Sequence, residues 1–223
     1  MELTLKIPEN LTEITLGQYQ KYLKMEKDNE DQTFIAQKMV EIFCNTRLDY
    51  VMKMKWRDVQ EIVTDLGLMF DQDQKLKRQF HMNGVNYGFI PNLDEISFGE
   101  FVDLDTYLGD WQEMHKAMQV LYRPIDISVR GRYNIKEYTA ITDDTMKEMP
   151  LGYALGAVFF LMNLGKELSI VMMGYLQKGV LKEDIQQKQG LTKSMDGTHL
   201  FFKQLRGMLQ DLNISQNRDY TKY

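Results

Sequence analysis

The chain is 223 residues long, 43% hydrophobic and carries a net charge of −5, with 32 carboxylates against 27 Lys and Arg. That length and apolar content can bury a sizeable core, as one large domain or two small ones. The acidic balance argues against nucleic acid as the main partner, because phosphate binding needs a concentrated positive field, and a lone cysteine, Cys44, excludes an internal disulfide.

Residues 2–7 alternate as Glu-Leu-Thr-Leu-Lys-Ile, which predicts a short half-buried strand and supplies no apolar h-region for a signal peptide. Ile7-Pro8 then leads into a helix from Leu16 to about Glu26. Its start has a mechanism. Thr15 is an N-cap with Gln18 three residues on, a capping box, and Ile14 and Tyr19 have the spacing of a hydrophobic staple. The polar run 27–31 predicts a turn, and Phe34, Ile35, Met39, Ile42 and Phe43 an amphipathic helix. Arg47 to Met54 fits a short helix and Trp56 to Met69 a longer one. Residues 79–89 read as two extended runs around Asn83-Gly84, a strong hairpin signal because both turn positions tolerate positive φ.

The helix entry is then written a second time. Ile90-Pro91 is followed by Ile96, the N-cap Ser97, Glu100 and Phe101, so the repeated unit reads strand, Ile-Pro, capped helix. Phe98 to Tyr122 is helical with a weak point at Leu108-Gly109-Asp110. A connector to Pro150 holds Ile125, Ile127, Val129, Tyr133 and Ile135 at strand period around Arg130-Gly131-Arg132, which predicts a second hairpin. Residues 151–173 predict a buried central helix with Leu155, Phe159 and Met162 along one face. Its uninterrupted apolar run of about 14 residues falls short of the roughly 20 a membrane span needs. After a polar segment, Leu200, Phe201, Leu205, Met208, Leu209 and Leu212 give a last amphipathic helix and then a polar tail, expected to contact a neighbour. The fold class is therefore mainly α with a small β component (α+β). The expected organisation is a pseudo-repeat helical domain over 1–125, a connector over 126–150 and a C-terminal helical region over 151–223. One domain over 1–223 is the alternative.

Chemistry is harder to find. The chain has no Walker-type phosphate loop, no dinucleotide-binding glycine fingerprint and no H-E-x-x-H. His81, His115 and His199 lie far apart in sequence without ligand spacing, so a structural role is favoured over zinc. Asp103 and Asp105, with His115 downstream, are the one group that could serve an enzyme or a metal ion, yet residues two apart on a helix do not share a face. No catalytic residue, cofactor or metal is assigned. Methionine is more telling, at 16 residues. Met114 and Met118 are i, i+4 neighbours, and with Trp111, Tyr122 and Arg123 they have either interface composition or that of a gap-filling core. The candidate interface comprises these five with Phe201, Leu205 and Met208.

The block Phe89 to Phe101, continuing through Met114-His115-Lys116-Ala117-Met118 and Leu121-Tyr122-Arg123-Pro124-Ile125, resembles segments of uncharacterised proteins from tailed-bacteriophage structural gene clusters. Ile14-Thr15-Leu16-Gly17-Gln18-Tyr19 is similar to the helix entry of small helical phage assembly proteins, tail-assembly-chaperone-like ones among them. The resemblance covers a third to a half of the chain and rests on cap and packing residues. It implies a non-enzymatic virion morphogenesis protein of the head–tail or tail region. Its partners would be other phage structural proteins or further copies of itself, not a membrane. It would work in the host cytoplasm during assembly and remain in the virion if structural. A tail assembly chaperone that leaves before maturation is the alternative.

Overall fold

Seven α-helices and a four-stranded antiparallel sheet make up the computed structural model, which describes residues 5–129 and 132–177. The fold is mainly α with a small β component. In chain order the helices are α1 (Leu16–Lys27), α2 (Gln32–Phe43), α3 (Leu48–Val51), α4 (Trp56–Phe70), α5 (Phe98–Tyr107), α6 (Met114–Leu121) and α7 (Leu151–Gln177). The strands are β1 (Gln79–Met82), β2 (Val85–Phe89), β3 (Tyr122–Val129) and β4 (Arg132–Ile135), paired in the order β1-β2-β3-β4. The predicted C-terminal helix and polar tail lie outside the described residues, as do residues 2–4.

Both repeated helix entries form as the cap chemistry requires. At α1 the Thr15 hydroxyl accepts from the Gln18 N–H (3.1 Å) while Gln18 Oε1 accepts from the Thr15 N–H (2.8 Å). Gln18 also donates through Nε2 to the Ile42 carbonyl (2.7 Å), satisfying one of the free carbonyls at the end of α2. At α5 the Ser97 hydroxyl accepts from the Glu100 N–H (3.3 Å) and Glu100 Oε2 accepts from the Ser97 N–H (2.6 Å). The duplication stops there. Residues 5–7, the described part of the strand expected over 2–7, are irregular, whereas the second copy follows β2. Alternation gives a strand a face but not a neighbour, and an unpaired segment has no ladder to hold it extended. Ile7 is exposed whereas Ile90 is buried, so the same letters sit at different depths.

The Asn83-Gly84 turn forms with φ of 52° and 77°, the left-handed pair that joins two twisted strands tightly. α6 runs directly into β3, which returns beside β2, and β3 pairs with β4 in a second hairpin with a bulge between Ile125 and Ile127. The hairpin is held on β2 by Tyr133, which pairs with Ser128 next to the turn. Its ring covers Gly88, where an added Cβ would sit 2.4 Å from the ring, and its hydroxyl donates to the Phe89 carbonyl (2.7 Å). Along β3, residues 126–129 are all exposed.

One cluster of buried side chains runs from Leu11 to Leu161 and crosses the predicted connector. Met146 and Met149 are wholly buried in it. The start of α7 is stitched to the start of α1 by Leu16 N–H to Met149 carbonyl and Leu151 N–H to Ile14 carbonyl bonds, both 2.8 Å. The buried seam of α7 is Leu151, Leu155, Val158 and Leu161, with Ala154 and Ala157 beside it. Phe159 and Met162, expected on the buried face, are only half-buried. The reason is close packing on small residues: at Gly156 an added Cβ would lie 2.4 Å from the Lys75 carbonyl oxygen. The chain after α4 thus crosses α7 backbone to backbone, which turns the bulky side chains aside.

Candidate functional site

His115 sits at the first turn of α6, almost fully buried, between α1 and the segment before α7. Its Nδ1 accepts from Gln20 Nε2 (3.1 Å) and its Nε2 donates to Asp144 Oδ1 (3.0 Å). The amide orientation of Gln20 is set by two backbone carbonyls, Trp111 (2.7 Å) and Gln112 (3.1 Å), which share its two N–H hydrogens with His115 Nδ1. With a donor fixed on Nδ1, the ring is held as the neutral Nε2–H tautomer. Burial pushes its pKa below the ordinary value, and the nearby Lys147 adds to that, against the pull of Asp144. The arrangement is a polar staple between three segments.

Glu100 faces inward from α5 and meets Arg123 at the start of β3, Oε1 to Nη2 at 2.7 Å, both side chains largely buried. Burial opposes its charge, but the Ser97 hydrogen bonds and Arg123 outweigh that and hold the carboxyl below its usual range. Tyr138 donates its hydroxyl to Asp103 and lies under the Arg123 guanidinium, 5.9 Å from the ring centre. Asp103 and His115 therefore serve different partners and are not drawn into one cluster. Among the described residues no group of three or more His, Cys, Asp or Glu side chains could hold a metal ion. A cavity of about 270 Å³ lies beside this network, lined in part by Tyr87, Gln119, Arg123, Tyr138 and Asp143. Neither Asp103 nor His115 lines it. Cys44 is buried at the end of α2, and burial pushes its thiol up to about 11, so it is a packing residue.

Four of the candidate interface residues are corrected by their burial. Trp111, Met114, Met118 and Tyr122 fill the chain's own core, Met114 and Met118 with no exposed surface at all. Trp111 stacks edge-on to Tyr19 at 5.3 Å, and Tyr122 meets Phe80 and Phe89 edge-on and donates to the Lys77 carbonyl (2.8 Å). Arg123 is spent on Glu100. Phe201, Leu205 and Met208 lie outside the described residues.

The exposed apolar residues are elsewhere. On α5, Glu100, Leu104 and Leu108 at i, i+4, i+8 form the buried stripe, while Phe98 and Val102 point outward, 83% and 41% exposed. On the β3–β4 hairpin, Ile127 and Val129 are 55% and 60% exposed. The signal for the first was in the sequence: once Glu100 is committed to the cap, the stripe it starts puts Phe98 and Val102 on the far side of the helix. No helix among the described residues is long and apolar enough to cross a membrane. Comparison with protein-family models, curated proteins and solved structures returns no match.

Proposed function

We propose that this chain is a non-enzymatic morphogenesis protein of a tailed bacteriophage, acting in the head–tail or tail region through protein–protein contacts. The observation that carries the contact role is α5, which turns a carboxylate inward and a phenylalanine outward. The Glu100–Arg123 pair fixes the helix in that orientation, so Phe98 cannot turn in without breaking a buried ion pair. Covering Phe98 on assembly would return up to about 1.5–3 kcal/mol, and Val102, already more than half covered, less. The titratable groups flagged for chemistry, Asp103 and His115, are instead occupied by Tyr138 and by Gln20 and Asp144. The phage assignment rests on the resemblance of the 89–101 and 114–125 segments.

Mass spectrometry of purified particles tests the reading. A virion component is expected in fixed copy number. Absence from particles together with co-purification of a tail protein would make the chain an assembly chaperone. Absence from particles with no phage structural protein bound would overturn the proposal.

A further inference from the structure

We propose that Gln20 and His115 form a proton-operated latch: uptake of a proton by His115 turns the Gln20 amide over and releases the α5–α6 turn, residues 108–113, from α1. The latch stands on an imbalance of donors and acceptors in a buried place. Gln20 and His115 are only 4% and 3% exposed. Gln20 Nε2 has two hydrogens and faces three acceptors, the carbonyls of Trp111 and Gln112 and Nδ1 of His115. Its Oε1, buried as well, meets no donor among the described residues. A buried acceptor left so is costly, and an Nδ1–H on His115 would give it a donor.

Protonation changes the pattern at Nδ1 and not at Nε2. On the Nε2 side Asp144 accepts at 3.0 Å, and a cationic ring strengthens that bond, so the imidazole stays where it is. On the Nδ1 side an N–H then confronts the Gln20 Nε2 hydrogens, donor against donor. Turning the amide over sets Oε1 opposite Nδ1–H and removes that clash. The same half-turn withdraws the donor from the Trp111 and Gln112 carbonyls and aims an oxygen at them. Oxygen against oxygen at separations of 2.7 and 3.1 Å is repulsive, so the turn moves off α1. The Gln112 side chain, which donates to the Gln20 carbonyl (3.0 Å), keeps it tethered.

The surroundings of the ring set how acid the medium must be. Burial opposes the cation most, and Lys147 opposes it with burial. Asp144, from the same segment before α7, favours it, as does Glu113, which stands at the head of α6 paired with Lys116. From α1 comes the Gln20 amide. Burial and Lys147 prevail, so the latch opens below pH 6.5. Asp144 stays ionised there, its carboxyl held below the ordinary value by Lys147 and by His115.

Trp111 gives the readout, being buried in the turn edge-on to Tyr19; the other tryptophan, the exposed Trp56, is removed by Trp56→Phe. In that full-length background, tryptophan emission, far-UV circular dichroism, NMR of the His115 ring and amide hydrogen exchange are followed between pH 8 and 5. Emission is expected to shift to the red with the midpoint of His115, below 6.5, while the amides of the turn exchange faster and the dichroism holds. Quenching by the imidazolium alone would lower intensity without a shift. His115→Gln should abolish the step. Gln20→Glu should raise the His115 midpoint, because a carboxylate accepts from Nδ1–H without turning. Gln20→Met, which keeps the volume but has no donor, should show the shifted emission at every pH. A His115 titration that Trp111 does not follow would overturn the latch. So would dichroism lost at the same midpoint, which is global acid unfolding, or a Gln20→Met chain with wild-type emission at neutral pH.

Discussion

His115 shows how a residue that looks reactive in a sequence becomes structural in a fold. Its partners Gln20 and Asp144 lie 95 and 29 positions away, so no local spacing could reveal the staple. The caps, by contrast, are written within four residues, and both were legible for that reason. The staple has a pH signature. The folded pKa is lowered from 6.5, so above about that pH both folded and unfolded chains hold a neutral ring and the contribution is constant. As pH falls below 6.5 the unfolded chain takes up a proton that the folded chain still refuses. Stability from this site therefore drops until pH passes the folded pKa, at up to about 1.4 kcal/mol per pH unit. Urea unfolding between pH 7 and 5 should show this slope, and His115→Gln should flatten it. An unchanged slope would mean that the ring is not held neutral. Glu100 acts in a separate window. Its folded pKa lies below 4.5, so its contribution is present above that value and lost as pH falls through the folded pKa.

At the scale of elements, periodicity and turn chemistry predicted α1 to α4, α7, both hairpins and a helical region that divides at its Leu108-Gly109-Asp110 weak point into α5 and α6, because each is specified by residues near in sequence. The face that each helix buries was harder. Met114 and Met118 have the same i, i+4 signature whether they meet their own core or a partner, and here they meet the core. On α7 the bulky residues suggested a seam through Phe159, and the small ones decided otherwise. Residues 71–78 have no periodic pattern, so nothing in the sequence placed the Lys75 backbone against Gly156. A pair of substitutions separates this contact from helix propensity. Gly67, in α4, has nothing within 4 Å of an added Cβ, so Gly67→Ala should gain up to about 1 kcal/mol from helix propensity. Gly156→Ala gains the same propensity but drives a methyl into backbone that cannot swing away, and should cost a net of roughly 1–3 kcal/mol. Chemical denaturation of both variants reads the signs directly. If both stabilise, the close approach at Gly156 is wrong.

For the whole molecule, the question is whether residues 1–125 hold together without the rest of the chain. Composition and patterning offered a boundary there because the connector lacks helix periodicity and two of the four prolines, Pro124 and Pro150, bracket it. The packing argues for mutual dependence. Ile14 and Leu16 at the head of α1 are wholly buried, and the chain covering them is 149–151, tied to them by backbone hydrogen bonds and an antiparallel bridge between Thr15 and Pro150. Removing everything after residue 125 strips Met146, Met149, Leu151, Leu155, Val158 and Leu161 from the core. At about 1.5–3 kcal/mol for each buried large side chain, the loss is on the order of 10 kcal/mol, comparable to the roughly 5–15 kcal/mol that separates folded from unfolded in a typical domain. The fragment also loses β4, residues 126–129 of β3 and the Tyr133 ring over Gly88, leaving residues 122–125 as the edge of the sheet. The fragment 1–125 is therefore expected to show helical signal without a cooperative urea transition, while the full chain unfolds in a single one over 1–161. The readout is the steepness of the curve, because its slope scales with the surface exposed on unfolding. A fragment that unfolds cooperatively, with a slope fitting a domain of its length, would make 1–125 an independent unit. Residues 126–161 would then be an appended element docked on a finished core.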